Sequence, residues 1–139
     1  DRGAVERRAR ELELGDRVSV EGWMDNPLKA MTRADLLVVP SRAEPLPNVI
    51  LEAFAMGLPV LGSDVDGIRV LLEEPELLFP AGDHETLAGM IRRCLDDPEH
   101  LQRLKKLCQE REALFHFDWG ERFLEILRTA QGAEPAGGR

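Results

Sequence analysis

Two glutamates, Glu44 and Glu52, stand eight positions apart in the middle of the chain. Glu52 lies in a stretch, residues 48–56, whose members from Val49 to Met56 are otherwise all apolar. A helix that is apolar all round is normally buried, and an ionised carboxylate buried there is costly without partners. Two readings of Glu52 stand side by side: it occupies a narrow solvent-facing stripe, or it faces a polar ligand beside the first helical turns. Glu44 falls in the preceding loop, 42–47, and alone is an ordinary loop carboxylate. Together the pair puts one acid ahead of a helix N-terminus and another just inside the helix. The unpaired amides and the dipole of such a terminus suit a phosphate or pyrophosphate. A carboxylate can accept hydrogen bonds from two adjacent hydroxyls, as a ribose or a sugar presents them.

No other side chains form a constellation of this kind. Cys94 and Cys108 are too far apart for a CxxC motif and read as half-buried helical thiols in a reducing compartment. His84, His100 and His116 lack ligand-like spacing and read as surface or capping residues. The expectation is no metal site.

The elements that position the two acids are legible in the apolar pattern. Residues 4–14 read as a helix ended by Gly15 and Asp16, and the alternation in RVSVEG (17–22) as a short strand. Residues 26–34 suit a short helix with Pro27 in its first turn. The apolar run DLLVVPS (35–41) marks a strand covered on both faces, as in a parallel sheet. Residues 48–56 form the next helix, closed by Gly57 at C′. LPVLG (58–62) is a second buried strand and 63–67 its exit loop. One helical turn over 68–74 and a short edge strand at 77–79 follow. Asp83, Asp97 and Asp118 open three closing helices, the last with Glu121 as a capping-box partner. Strand and helix alternate, which predicts an α/β fold with a mostly parallel sheet. In such sheets ligands sit beyond the carboxyl ends of the strands, a rule that selects loops 42–47 and 63–67.

The bulk composition narrows the function classes. The chain has 139 residues, 43% hydrophobic and 32% charged, enough for one domain with a core and too few for two. Its formal net charge of −8, with no block of Lys or Arg, argues against a nucleic-acid ligand. No apolar run reaches the roughly 20 residues of a membrane span, and the charged start shows no secretory signal. The chain also lacks an initiator Met, as an excised fragment or processed chain would.

The ordered series of motifs has a relative. The segment DLLVVPSRAEPLPNVILEAFAMGLPVLGSDVDGI (35–68) resembles the signature of the group 1 retaining glycosyltransferases of GT-B fold: a strand ending in Pro-Ser, then Glu, seven residues, Glu-Ala, and Gly-x-Pro-Val before a Gly-containing loop. RVSVEGWMDN, LLFPAGDHETLAGMI and HFDW extend the resemblance over roughly residues 10–128. It implies a Rossmann-like parallel sheet with flanking helices, the C-terminal nucleotide-sugar-binding domain of a GT-B enzyme, incomplete at its N-terminus. Residues 1–131 would form this partial domain and 132–139 a flexible tail.

The resemblance also implies roles. Glu52 would hold the ribose hydroxyls of the nucleotide, and Glu44 would contact the donor sugar near the reacting carbon as the catalytic residue. Backbone amides around Leu46, Asn48 and Val49 would receive the diphosphate. Gly22 and Trp23 would lie near the nucleobase. The partners implied are a nucleotide-diphosphate sugar as donor and a glycan or lipid acceptor held by a domain preceding residue 1. No cofactor or metal is required. The full protein would be cytoplasmic, compatible with peripheral association at the inner face of the membrane, and the isolated chain inactive. Two features depart from the pattern: Pro45 and Pro47 stand where the family often has glycine, and Arg69 and Val70 stand near its usual glutamate. Two other classes stay open, a sugar-nucleotide epimerase of the same architecture and a non-catalytic nucleotide-binding or interaction domain. The glutamate spacing with GLPV argues against the first.

Overall fold

A computed structural model describes residues 2–115, so the third closing helix expected from Asp118, and the tail, lie outside the described residues. The chain divides into two compact units, the first ending at Arg33 and the second beginning at Ala34.

In the first unit, helix α1 spans Arg2–Glu11 and stops three residues short of the expected end. Glu13 takes a left-handed φ of 51°. Its amide donates to Arg10 O and that of Leu14 to Ala9 O, both at 3.0 Å. These are the paired bonds of a Schellman turn, which glycine usually supplies. A 3₁₀ turn at Gly15–Arg17 follows. The strand expected at 17–22 is absent among the described residues. Val18 is extended (φ −125°, ψ 120°), as its alternation dictates, but extended backbone becomes a strand only with a ladder partner, and Gly22 at φ +70° breaks the run. Helix α2 spans Leu28–Met31, with Pro27 at its N-cap position.

The second unit is built on a parallel sheet in the order β1-β2-β3, with β1 at Leu37–Val39, β2 at Val60–Ser63 and β3 at Leu78–Phe79. Leu37, Val38 and Val39 face Val60, Leu61 and Gly62 across one ladder, and Gly62 and Ser63 face Leu78 and Phe79 across the other. Parallel neighbours need a crossover. Helix α3, Asn48–Ala55, supplies the first and helix α4, Asp66–Leu72, the second. α4 runs two turns and begins two residues before the expected single turn. The amides of Gly57 and Leu58 donate to Phe54 O and Ala53 O, and Gly57 at φ +64° closes α3 as its position predicts.

Helices α5, His84–Asp96, and α6, Pro98–Phe115, complete the unit. Asp83 accepts from the Thr86 amide at 2.9 Å, and Asp97 from the amides of Glu99 and His100 at 3.0 and 3.1 Å, so both aspartates cap as expected. α6 packs on α3, α4, α5 and β2. Its Arg111 donates from Nε and Nη2 to the carbonyls of Leu71 and Val70 at the end of α4, at 3.0 and 2.9 Å. Nη1 pairs with Glu73 at 2.5 Å, the residue after α4, which has a positive φ of 55°.

The core includes Ile50, Ala53, Phe54, Val60, Leu61, Ile68, Leu71, Leu72, Leu77, Phe79 and Leu104. Three expectations change here. His100 is buried rather than on the surface, and both cysteines are buried rather than half-buried, Cys108 fully so. These residues fall on the inward faces of two packed helices, where one spacing serves core and surface alike.

Two predictions follow from this packing. A Cβ at Gly67 would overlap the carbonyls of Glu44 and Pro45, whereas one at Gly89, inside α5, meets open space. Gly67→Ala should therefore lower stability by about 1–3 kcal/mol, and Gly89→Ala should raise it by roughly 0.5–1 kcal/mol. Urea midpoints of the two variants shifting in the same direction would refute this account.

Cys108 provides the second. Burial pushes its thiol up from 9.0 to about 11, against a smaller opposing effect of the Val60 amide, which donates to Sγ at 3.4 Å. The folded state thus favours the neutral thiol. Its contribution is complete below about pH 9, the unfolded value, and is lost as the pH rises toward about 11. A difference of that size corresponds to at most about 3 kcal/mol. Stability of the wild type should fall more steeply over this window than that of Cys108→Ser, which keeps an acceptor but does not titrate. Equal slopes would exclude the thiol as the cause.

Candidate functional site

The loops that leave β1 and β2 open at the same end of the parallel sheet, and they meet. Ser63, fully buried at the end of β2, donates its hydroxyl to the Ser41 carbonyl, with Val39 O also within reach at 3.3 Å. Gly67 brings the first turn of α4 against the main chain of Glu44 and Pro45, with no room for a side chain. One loop therefore stacks on the start of the next helix by backbone contact, which only glycine permits.

Between them lies an open cleft of about 530 Å³, lined by Arg42, Ala43, Glu44, Pro45, Asp64, Val65 and Asp66. These are the two loops that the strand-end rule selects. The exit loop itself is short: Ser63 is still in β2 and Asp66 already in α4. Glu44 is half-buried in this cleft. Arg42, Asp64 and Asp66 were not singled out by sequence, although the Ser-Asp-x-Asp-Gly run at a strand end was the signal that could have named them.

Arg69 crosses this loop. Its Nε donates to Asp64 Oδ1 at 2.5 Å, Nη2 lies 3.4 Å from the Asp64 carbonyl, and Nη1 lies 3.7 Å from Asp66 Oδ1. The Asp64 hydrogen bond, then its charge, raises the Arg69 pKa above its ordinary value. The cleft thus carries three carboxylates against Arg42 in its lining, with Arg69 neutralising the Asp64 side.

The remaining residues of interest occupy the start of α3. Asn48 and Val49 are its first two residues, so their amides have no acceptor within the helix, and Pro47 at the N-cap gives no side-chain cap. Leu46 is 54% exposed. Glu52 is exposed and shares an outward face with Asn48 and Ala55, opposite buried Ile50, Ala53 and Phe54. The helix is therefore not buried all round, and its exposed stripe holds its one acid. Glu44 lines the cleft; Leu46, Asn48, Val49 and Glu52 are not in its lining. Gly22, at φ +70°, and Trp23, 93% exposed, belong to the first unit. Among the described residues no group of three or more His, Cys, Asp or Glu side chains is arranged to hold a metal, and no helix is long and apolar enough to cross a membrane.

Comparison with known proteins agrees with this architecture. The family described as glycosyl transferases group 1 matches residues 1–97. A lipopolysaccharide core biosynthesis glycosyltransferase, LpsD of Rhizobium meliloti, is 36% identical over 106 residues, 75% of this chain and 31% of its own length. The alpha-D-kanosaminyltransferase of Streptomyces kanamyceticus is 35% identical over 66% of this chain and 25% of its own. Among solved structures, sucrose-phosphate synthase of Thermosynechococcus elongatus superposes with a TM-score of 0.75 at 34% identity, over 94% of this chain and 34% of that one. HepE of Anabaena, solved in complex with UDP, gives 0.76 at 25% identity, over 93% and 36%. The chain spans between a quarter and about a third of the length of these relatives. A family match over most of the chain, together with the parallel sheet and its two apposed loops, makes it a member of the group 1 glycosyltransferases, with the GT-B type of fold.

Proposed function

We propose that this chain forms most of the nucleotide-sugar-binding part of a glycosyltransferase that moves a sugar from a nucleotide donor to a glycan or lipid acceptor with retention of anomeric configuration. The observation that carries the reading is the meeting of loops 42–45 and 64–66 in one cleft beside the uncapped start of α3. Cleft carboxylates suit the hydroxyls of a sugar, and helix-start amides suit an anion. The names of the relatives and the UDP bound to HepE support the same chemistry.

In this reading Glu44 accepts a hydrogen bond from a donor-sugar hydroxyl near the carbon that is transferred. The amides of Leu46, Asn48 and Val49 take the diphosphate, whose negative charge grows as it leaves; donors placed where charge develops lower the barrier. Pro45 and Pro47 offer no amide, so fewer donors are available than in a glycine-rich loop. Glu52, on the outer face of α3, holds the ribose diol. The reading assigns the site no metal.

Calorimetry and steady-state kinetics on the full-length protein test these roles. Glu52→Ala should weaken nucleoside-diphosphate binding by about tenfold to a few hundredfold, since each charge-assisted hydrogen bond contributes roughly 1.5–3 kcal/mol. Unchanged affinity in a folded variant would remove the ribose role.

Glu44→Gln should reduce kcat more than it raises KM, because a contact at the reacting end strengthens as charge develops. A kcat near that of the wild type would make Glu44 a loop carboxylate only. Product stereochemistry by NMR decides retention against inversion.

A further inference from the structure

Three main-chain hydrogen bonds hold the β2–α4 loop, and the Arg69 side chain adds to its main chain only the long 3.4 Å contact with the Asp64 carbonyl. The Asp64 amide donates to Phe79 O at 2.7 Å, that of Val65 to Ser63 O at 2.8 Å, and that of Arg69 to Val65 O at 2.8 Å. The guanidinium makes its shorter and better contact with a side chain. It takes one oxygen of the Asp64 carboxylate at 2.5 Å and stays near Asp66. The pair is about half exposed, 53% for Arg69 and 41% for Asp64, and such pairs add little to stability. A short, directional contact of small stabilising value, in the wall of the cleft that holds Glu44, is an orienting device.

Resting on the donor-site reading, we infer that Arg69 is a positioning residue that locks the Asp64 carboxylate in one orientation, making it a fixed acceptor for a hydroxyl of the donor sugar. Asp64 is then a specificity-determining residue for the sugar half of the donor. The nucleotide half is held at α3 and is indifferent to the pair. A carboxylate with one oxygen already engaged accepts a ligand hydroxyl without first losing rotamer freedom, the usual advantage of preorganisation. A guanidinium presents its donors in a fixed fork, whereas an ammonium does not.

The test uses the full-length protein and measures, by calorimetry, the affinity ratio between a sugar nucleotide and its nucleoside diphosphate. UDP with UDP-glucose and GDP with GDP-mannose serve as probes. Arg69→Met should lower the ratio about tenfold for the preferred donor, with nucleoside-diphosphate affinity unchanged within about twofold. Arg69→Lys should recover part of the loss. Asp64→Asn should match Arg69→Met, and the double variant should be no worse than either single change, as for two residues acting as one unit. Thermal midpoints should stay close to the wild type. Equal weakening of both ligands, additive effects or an unchanged ratio would each overturn the inference. Should Arg69→Met fail to fold, Arg69→Lys and the near-isosteric Asp64→Asn carry the same comparison. If the wild type binds no nucleotide, the donor-site reading falls first; if it binds and the variants discriminate as before, only this inference falls.

Discussion

The second unit depends on a contact between two stretches of main chain. Gly67 sits so close to the carbonyls of Glu44 and Pro45 that no side chain fits between them. Parallel strands align the loops at one end of a sheet, but alignment alone leaves them free to splay. The approach at Gly67 and the buried hydroxyl of Ser63, shared between the β1 and β2 ends, turn two neighbouring loops into one surface. The cleft, the placement of Glu44 and the grip of Arg69 on Asp64 all presuppose that surface.

Behind it, α4 is held at both ends by different means. At its start the restraint is steric. At its finish Arg111 satisfies the carbonyls of Val70 and Leu71 and pairs with Glu73, supplying donors that the last turn of a helix lacks. Arg111 also lies over the ring of Phe115, 5.6 Å from its centroid, within cation–π range. A two-turn helix is short for independent stability; these restraints and its four buried residues, Gly67, Ile68, Leu71 and Leu72, hold it in place.

Much of this was legible before any coordinates. The run ending in Pro40 and Ser41, the Gly57 terminus and the caps Asp83 and Asp97 are local signals, each read within a few residues, and each holds. The strand-end rule found both loops of the cleft. Other signals failed for physical reasons. The first helix ends at a left-handed Glu13, ahead of Gly15 and Asp16, which were expected to end it, a choice among close alternatives that sequence does not separate. RVSVEG has the alternation of a strand, yet pairing is a property of a neighbour rather than of the segment itself. Burial of His100, Cys94 and Cys108 depends on which face of a helix meets the sheet. The grip of Arg69 on Asp64, five residues away, spans a strand-to-helix turn and has no periodic signature. Glu52 stands on an exposed stripe with Asn48 and Ala55, a placement that its apolar neighbours alone did not give.

The side chains around the cleft differ from those beneath it in how freely they can be exchanged. Arg42 and Asp66 are exposed and belong to no packed core, so replacements there usually alter stability by less than about 0.5 kcal/mol. The scaffold that sets the width of the opening is main chain, which substitutions on the rim do not alter. Natural variation can therefore alter the chemistry of the rim in small, reversible steps while the fold stays constant. A lineage carrying this sheet can thus change the charge and shape of the rim without passing through an unstable intermediate.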